Sequence, residues 1–249
     1  MPLKAIMFDC DGVIAETEGD GHRVAFNKTF REFGIDAYWD MDEYGRLLEV
    51  GGGKERMAYF FRSDERKYPP EKFDDELIAK LHKAKTESFV DMCADIQARP
   101  GVRRIMTEAV EAGISVFVCS TSNEKSVANI VKSVLSGDAD RIVAKIYAGD
   151  VVRAKKPAPD IYLLAAKEYG FDPKTCLVIE DTRIGMQAAI AADMKCFVTR
   201  SFYNMGEDFE GAAAVVDCFG EKDMPCNPVF GVPPDTPYIT LDILKGLFD

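Results

Sequence analysis

The sequence predicts an α/β protein: a parallel sheet carrying an inserted helical region. Three observations point there. From Val102 to Val216 helical and strand-like patterning alternate, the rhythm of consecutive βαβ units. Leu3 to Phe8 is an isolated apolar run of strand length, and it must join the same sheet. Between them, Glu16 to Ala98 shows helical periodicity and no convincing strand.

The first strand ends in Asp9-Cys-Asp-Gly12. Ligands of a parallel sheet gather at the carboxyl ends of its strands, so Asp9 and Asp11 stand at the mouth of the sheet. The turn begun by Gly12 lets Asp9 point at a substrate while Asp11 reaches over it, one a nucleophile and the other an acid. Acids this close raise one another's pKa unless a cation holds them. The spacing alone equally fits strand-end acids that cap a loop.

Within the insert, Gly21 to Phe33, Met41 to Phe61 and Asp74 to Met92 carry helical spacing. Trp39, Tyr44 and the phenylalanines belong to its core rather than to a sugar platform, and His82, among Lys80, Lys83 and Lys85, to a solvated face. Arg99-Pro-Gly101 breaks the pattern. Strands are expected at Ile114 to Thr121, Ile146 to Gly149, Cys176 to Asp181, Cys196 to Thr199 and Ala213 to Val216. The proline-rich tail is expected to be irregular and to end in one short helix, Leu241 to Phe248.

A net charge of -11 over 249 residues opposes binding to nucleic acid or to an anionic membrane surface. The seven cysteines show no paired metal spacing and several lie in apolar runs, as small buried hydrophobes in a reducing compartment do. No stretch approaches the ~18 apolar residues of a membrane helix. With a strand starting at Leu3, no signal or transit peptide is expected in this chain.

Several strands finish in polar signals: Asp9 and Asp11, then Ser120 and Thr121, then Glu180 and Asp181, with Lys155 and Lys156 in a loop beside Pro157. These are parts for phosphoryl transfer: carboxylates for Mg²⁺, a lysine for the transferring group, a hydroxyl and turn amides for its oxygens. Taken singly, Glu180 and Asp181 fit a helix N-terminal acidic pair, and Lys156 a solvated loop lysine. Their order along the chain favours the catalytic alternative.

Asp9-Cys-Asp-Gly-Val, Val118-Cys-Ser-Thr-Ser, Lys156-Pro-Ala-Pro-Asp and Ile179-Glu-Asp-Thr-Arg-Ile-Gly resemble, in order, the signature motifs of the haloacid dehalogenase-like hydrolases. Thr17-Glu18, His22-Arg-Val-Ala-Phe-Asn27, Gly51-Gly-Gly-Lys-Glu-Arg56 and Phe202-Tyr203 are similar to the CbbY-like sugar-bisphosphate phosphatases, which remove the 1-phosphate of xylulose 1,5-bisphosphate, an inhibitor of Rubisco. The resemblance implies a Rossmann-like core at residues 1–15 and 99–249 with a helical cap domain at 16–98. It implies that Asp9 becomes phosphorylated, that Asp11 donates and then accepts a proton, and that Ser120, Thr121 and Lys156 bind the phosphate. Mg²⁺ is then expected on Asp9, the backbone carbonyl of Asp11, Asp181 and Glu180.

The cap is expected to close over the sheet and exclude water. In it, Gly52, Gly53, Lys54 and Arg56 suit a second phosphate, with a flexible turn as the plain alternative, while Glu18 and His22 fall where the resembling proteins contact the sugar. The chain is expected to act as a monomer on a small phosphorylated sugar, in a chloroplast stroma or a bacterial cytoplasm. A phosphosugar mutase of the β-phosphoglucomutase type has the same two aspartates, and a catalytically silent binding relative is the third alternative. The latter would be expected to have lost a catalytic charge, and here Asp9, Asp11, Lys156 and Asp181 are all present.

Overall fold

The computed structural model describes residues 1–50, 52–63, 68–93 and 96–249. The chain divides into two compact units, Met1–Glu16 with Ala94–Asp249, and Thr17–Cys93.

The smaller unit is helical. A single wide turn, Glu18–His22, runs into α1 (Arg23–Glu32), followed by α2 (Met41–Leu47), α3 (Gly53–Ser63) and α4 (Asp75–Met92). Asp40 and Asp74 cap α2 and α4 by accepting from the amides of Glu43 and Leu77, each at 2.8 Å. The core is aromatic: Trp39 meets Phe26 at 4.7 Å and Phe30 at 5.0 Å, and Phe61 stacks on Phe73 at 4.1 Å. The expected continuous stretch from Met41 to Phe61 is in fact two helices. The first ends at Leu47, and Gly52, at φ +87°, takes a left-handed conformation immediately before Gly53 begins the second. His82 is half-buried rather than solvated, because α4 buries Ile78, Leu81, Lys85, Ser88 and Phe89 along one face beside it. Lys85 counts as a charge in the sequence, yet it is buried, its ammonium 4.5 Å from the Phe26 ring centroid.

The larger unit contains α5 (Val102–Glu111), α6 (Glu124–Leu135), α7 (Ala139–Ile142), α8 (Asp160–Tyr169), α9 (Arg183–Ala191) and α10 (Leu241–Gly246). Its strands are β1 (Ala5–Phe8), β2 (Ser115–Cys119), β3 (Lys145–Tyr147), β4 (Cys176–Glu180), β5 (Lys195–Thr199), β6 (Ala214–Val216) and β7 (Pro228–Phe230). They form one sheet in the order β3-β2-β1-β4-β5-β6-β7, parallel except for β7. β1 lies between β2 and β4, with Phe8 opposite both Val118 and Ile179. Strand order reverses there, which opens a crevice at the carboxyl ends of β1 and β4.

Strand residues alternate between faces. Ala5 and Met7 join Phe117, Val178 and Cys196 in a core shared with Tyr162 of α8 and Met186 of α9. On the other side Phe8 meets Phe219 at 6.3 Å, and Phe219 stacks on Phe197 at 5.6 Å. Cys218 is half-buried, the other cysteines are buried, and all are free thiols.

The tail is more ordered than its prolines suggest. Pro228–Phe230 pairs antiparallel with β6 at the sheet edge, where a leading proline is tolerated and three residues give no periodic signal. Arg104 of α5 anchors the rest, donating to Gly220 O at 2.7 Å and Ile239 O at 2.9 Å. At the junction with the helical unit, the amide of Arg99 donates to Ile14 O at 2.9 Å, so the outgoing and returning segments run side by side.

Candidate active site

Asp9 follows β1 directly, and its amide still donates to Ile179 O at 2.9 Å, which extends the ladder with β4. Its carboxylate therefore emerges beside Glu180 and Asp181. Lys156, from the loop before α8, enters between them: Nζ donates to Asp9 Oδ1 at 2.5 Å, Glu180 Oε1 at 2.6 Å and Cys119 O at 3.1 Å. Tyr162 also donates to Glu180 Oε1, at 2.6 Å. Asp181 accepts from Asn204 Nδ2 at 2.7 Å, and the same amide donates to Ser201 Oγ at 2.7 Å.

Two buried carboxylates, Asp9 and Glu180, thus share one ammonium, with Asp181 beside them. Burial pushes Asp9 up to about 7, with Glu180 and Asp11 adding to the shift and Lys156 opposing it. Burial and the charges of Glu180 and Asp9 drive Asp181 well above the usual carboxylate range. Burial works against the charge of Lys156, but Asp9 and Glu180 outweigh it and hold its pKa above the ordinary value. Oxygen atoms of Asp9, Glu180 and Asp181 lie within 4.8 Å of one another. Hard oxygen donors at that spacing, with excess negative charge, fit a divalent cation such as Mg²⁺.

Two glycines make this packing possible. A Cβ on Gly185, in the first turn of α9, would fall 1.9 Å from Glu180 Cδ. One on Gly12 would fall 2.0 Å from Asp181 Oδ2, and Gly12 already has φ +76°. Thr182 caps α9 by accepting from Gly185 N at 3.0 Å, which fixes the turn that presents Glu180 and Asp181.

Ser120 is buried past the end of β2, its amide bonded to Tyr147 O at 2.9 Å, whereas Thr121 is exposed. Ser120 Oγ accepts from the amide of Ser122 at 3.1 Å, and Ser122 Oγ donates to the carboxylate of Asp11. Asp9, Asp11, Ser120, Lys156, Glu180 and Asp181 therefore share one strand-end cluster within the larger unit. Lys155 points elsewhere and pairs with exposed Asp150 at 2.8 Å.

The remaining candidates lie in the helical unit. Glu18 Oε2 accepts from Tyr44 Oη at 2.5 Å, and Tyr44 Oη accepts from Arg56 at 3.0 Å. Arg56 is buried and also donates to Leu47 O at 2.9 Å, while Lys54 is exposed at the start of α3. Gly52 and Gly53 precede it, and Gly51 lies outside the described residues. His22 stacks on Phe89 at 3.8 Å with Nδ1 2.6 Å from Lys85 Nζ. Burial, then the nearby charges of Lys85 and Arg56, keep its pKa well below the ordinary value.

Tyr162 and Asn204 bond to the carboxylates of this cluster, with Ser201 bonded to Asn204, and none of the three is among the residues that the sequence singles out. Ser122 lies within the Val118–Ser122 motif, and Asn204 directly follows Phe202-Tyr203, so position gives a signal for both. Tyr162 offered none, since a helical tyrosine ordinarily reads as core.

Residues 3–193 match the haloacid dehalogenase-like hydrolases. The CBBY-like protein of Arabidopsis thaliana is 50% identical over 224 residues, covering 88% of this chain and 70% of that protein. The crystal structure of CbbY from Rhodobacter sphaeroides in complex with phosphate superposes with a TM-score of 0.74 at 41% identity, covering 88% of this chain and 96% of the other. A mutant of that protein in complex with xylulose 1,5-bisphosphate gives the same TM-score of 0.74 and 41% identity, with the same 88% and 96% coverage. With the strand-end cluster and the sheet order in agreement, the chain belongs to the haloacid dehalogenase-like hydrolases and, within them, to the CbbY-like group.

Proposed function

We propose that this sugar-phosphate phosphatase is Mg²⁺-dependent and converts xylulose 1,5-bisphosphate to xylulose 5-phosphate through an aspartyl-phosphate on Asp9. The convergence of Asp9, Lys156, Glu180 and Asp181 at the adjoining ends of β1 and β4 carries this reading. The substrate is drawn from the bisphosphate-bound relative, 41% identical.

A carboxylate oxygen of Asp9 attacks phosphorus, and the bond to the sugar oxygen breaks as Asp11 delivers a proton to that oxygen. Asp11, now a carboxylate, takes a proton from water. The water oxygen attacks phosphorus, the bond to Asp9 breaks, and inorganic phosphate leaves. Ser122 orients Asp11 for both transfers, as its hydrogen bond to the carboxylate allows. Lys156, Ser120 and Thr121 bind the oxygens of the transferring group. Asp9, Glu180, Asp181 and the backbone carbonyl of Asp11 would hold Mg²⁺, whose charge offsets the negative charge gathered between phosphate and carboxylates.

The helical unit serves as a substrate-selecting cap, with Glu18 and His22 toward the sugar and the Gly52-Gly53-Lys54 turn toward the second phosphate. Arg56 supports this surface from within, through Tyr44. The enzyme acts as a monomer and removes an inhibitor of Rubisco, in a plastid stroma given the Arabidopsis relative at 50% identity. Phosphate release from a panel of sugar mono- and bisphosphates, with and without Mg²⁺, tests the proposal. Mg²⁺-dependent release of one phosphate from xylulose 1,5-bisphosphate is expected. Isomerisation of a monophosphate without net release would replace the phosphatase by a mutase.

A further inference from the structure

Arg99 makes an unusual set of contacts for a residue outside the catalytic cluster. One terminal nitrogen donates to the carbonyls of Gly12 and of Thr199, the latter at 3.0 Å, and lies 3.3 Å from Thr199 Oγ1. The other donates to Arg200 O at 2.7 Å and Asp217 O at 2.5 Å. The amide of Arg99 is itself held by Ile14 O at 2.9 Å. One planar guanidinium therefore gathers the loops that follow β1, β5 and β6.

Those loops belong to the chemistry. Gly12 immediately follows Asp11, and its α-carbon faces the carboxylate of Asp181 so closely that a Cβ would fall 2.0 Å from Oδ2. The loop after β5 carries Ser201 and Asn204, and Asn204 holds that same carboxylate at 2.7 Å. Nothing in the sheet ladder fixes the loop after β1 to the loop after β5, because the two strands are separated by β4.

We infer that Arg99 is a positioning residue that sets the spacing between the Asp11 turn and Asp181 by clamping the carbonyls of Gly12, Thr199, Arg200 and Asp217. This rests on the phosphatase assignment of the site. A lysine keeps the charge but cannot reproduce a fork with several fixed N–H directions, so Arg99→Lys is not conservative here. Arg99 also lines an open groove with Arg200, Phe202 and Met205, through which a small cation can reach the vacated position.

The test uses full-length wild type, Arg99→Lys and Arg99→Ala. Mg²⁺ affinity is measured by calorimetry without substrate, steady-state kinetics with xylulose 1,5-bisphosphate, and thermal unfolding on the same preparations. Both variants should fold, bind Mg²⁺ about tenfold more weakly and lose about tenfold or more in kcat with little change in KM, as when a group supporting metal ligands is removed. Millimolar guanidinium chloride should restore part of the kcat of Arg99→Ala and none of that of wild type. Wild-type Mg²⁺ affinity and kcat in Arg99→Lys would overturn the inference, and so would failure of both variants to fold, which would assign Arg99 to stability. Absence of Mg²⁺ binding or phosphate release in wild type would instead refute the phosphatase assignment.

Discussion

Lys156 Nζ lies 2.5 Å from Oδ1 of Asp9, and both side chains are nearly enclosed, at 7% and 11% exposure. The lysine offsets part of the negative charge gathered there, since it also reaches Glu180 at 2.6 Å. Removing it leaves buried carboxylates that must take up protons or separate. Lys156→Met should lower stability by about 3–5 kcal/mol, the usual result of breaking a buried pair, and abolish turnover. Denaturant unfolding without Mg²⁺ checks the first; an unchanged midpoint would remove the assigned role.

Asp11→Asn cannot move the proton in either half of the reaction. Turnover of a sugar bisphosphate should fall by about 10²–10⁴. An aryl phosphate needs little proton assistance on leaving, so the variant should release one equivalent of phenol and then stall. Mass spectrometry should find the phosphoryl group on Asp9. Sustained turnover at the wild-type rate would contradict the role.

Lys54 is exposed beside the Gly52-Gly53 turn. Lys54→Ala should raise KM for the bisphosphate about tenfold or more, the usual worth of a charged hydrogen bond, and leave aryl phosphate hydrolysis nearly unchanged. Steady-state kinetics on the two substrates decide, and equal losses would move the second phosphate elsewhere.

A methyl group at position 185 has no room, with Glu180 Cδ 1.9 Å from where it would sit. Glu180 is held on its other side by Tyr162 and Lys156 and cannot retreat without losing one of them. Gly185→Ala should therefore cost about 1–3 kcal/mol of stability and weaken Mg²⁺ binding. Thermal unfolding and calorimetry on one sample measure both.

His22 is neutral in the folded chain, held below its ordinary value of 6.5 by burial and by Lys85 and Arg56. In the unfolded chain it takes up a proton below about pH 6.5. The unfolded state then binds more protons, so this contribution is complete above that pH and is lost as pH falls, by up to about 1.4 kcal/mol per unit. Trp39, the sole tryptophan, is buried in the same helical unit and reports its unfolding. Its fluorescence should show the acid-side loss in wild type and a shallower slope in His22→Gln; identical slopes would exclude His22 as the source.

The candidate cluster was legible where its residues follow strand ends. Asp9, Asp11, Ser120, Glu180 and Asp181 each stand one to three residues beyond an apolar run, and parallel pairing brings such positions together. The positions of Tyr162 and Arg99 in this network were not legible, and Asn204 was marked only by its place after Phe202-Tyr203. Each meets its partner across loops distant in sequence, through geometry that no local pattern encodes. Lys85 shows the same limit in the helical unit, because charge spoke for exposure while its methylene stem packed against aromatic rings. β7 escaped because three residues led by proline carry too little alternation to register.

The bond between Ile14 and Arg99 also bears on how such an enzyme can be remade. Since the chain leaves and re-enters the larger unit at neighbouring points, a different module with closely spaced ends could be grafted at this seam without rethreading any strand. Selectivity for the sugar can then diverge while the phosphoryl chemistry stays where the sheet puts it.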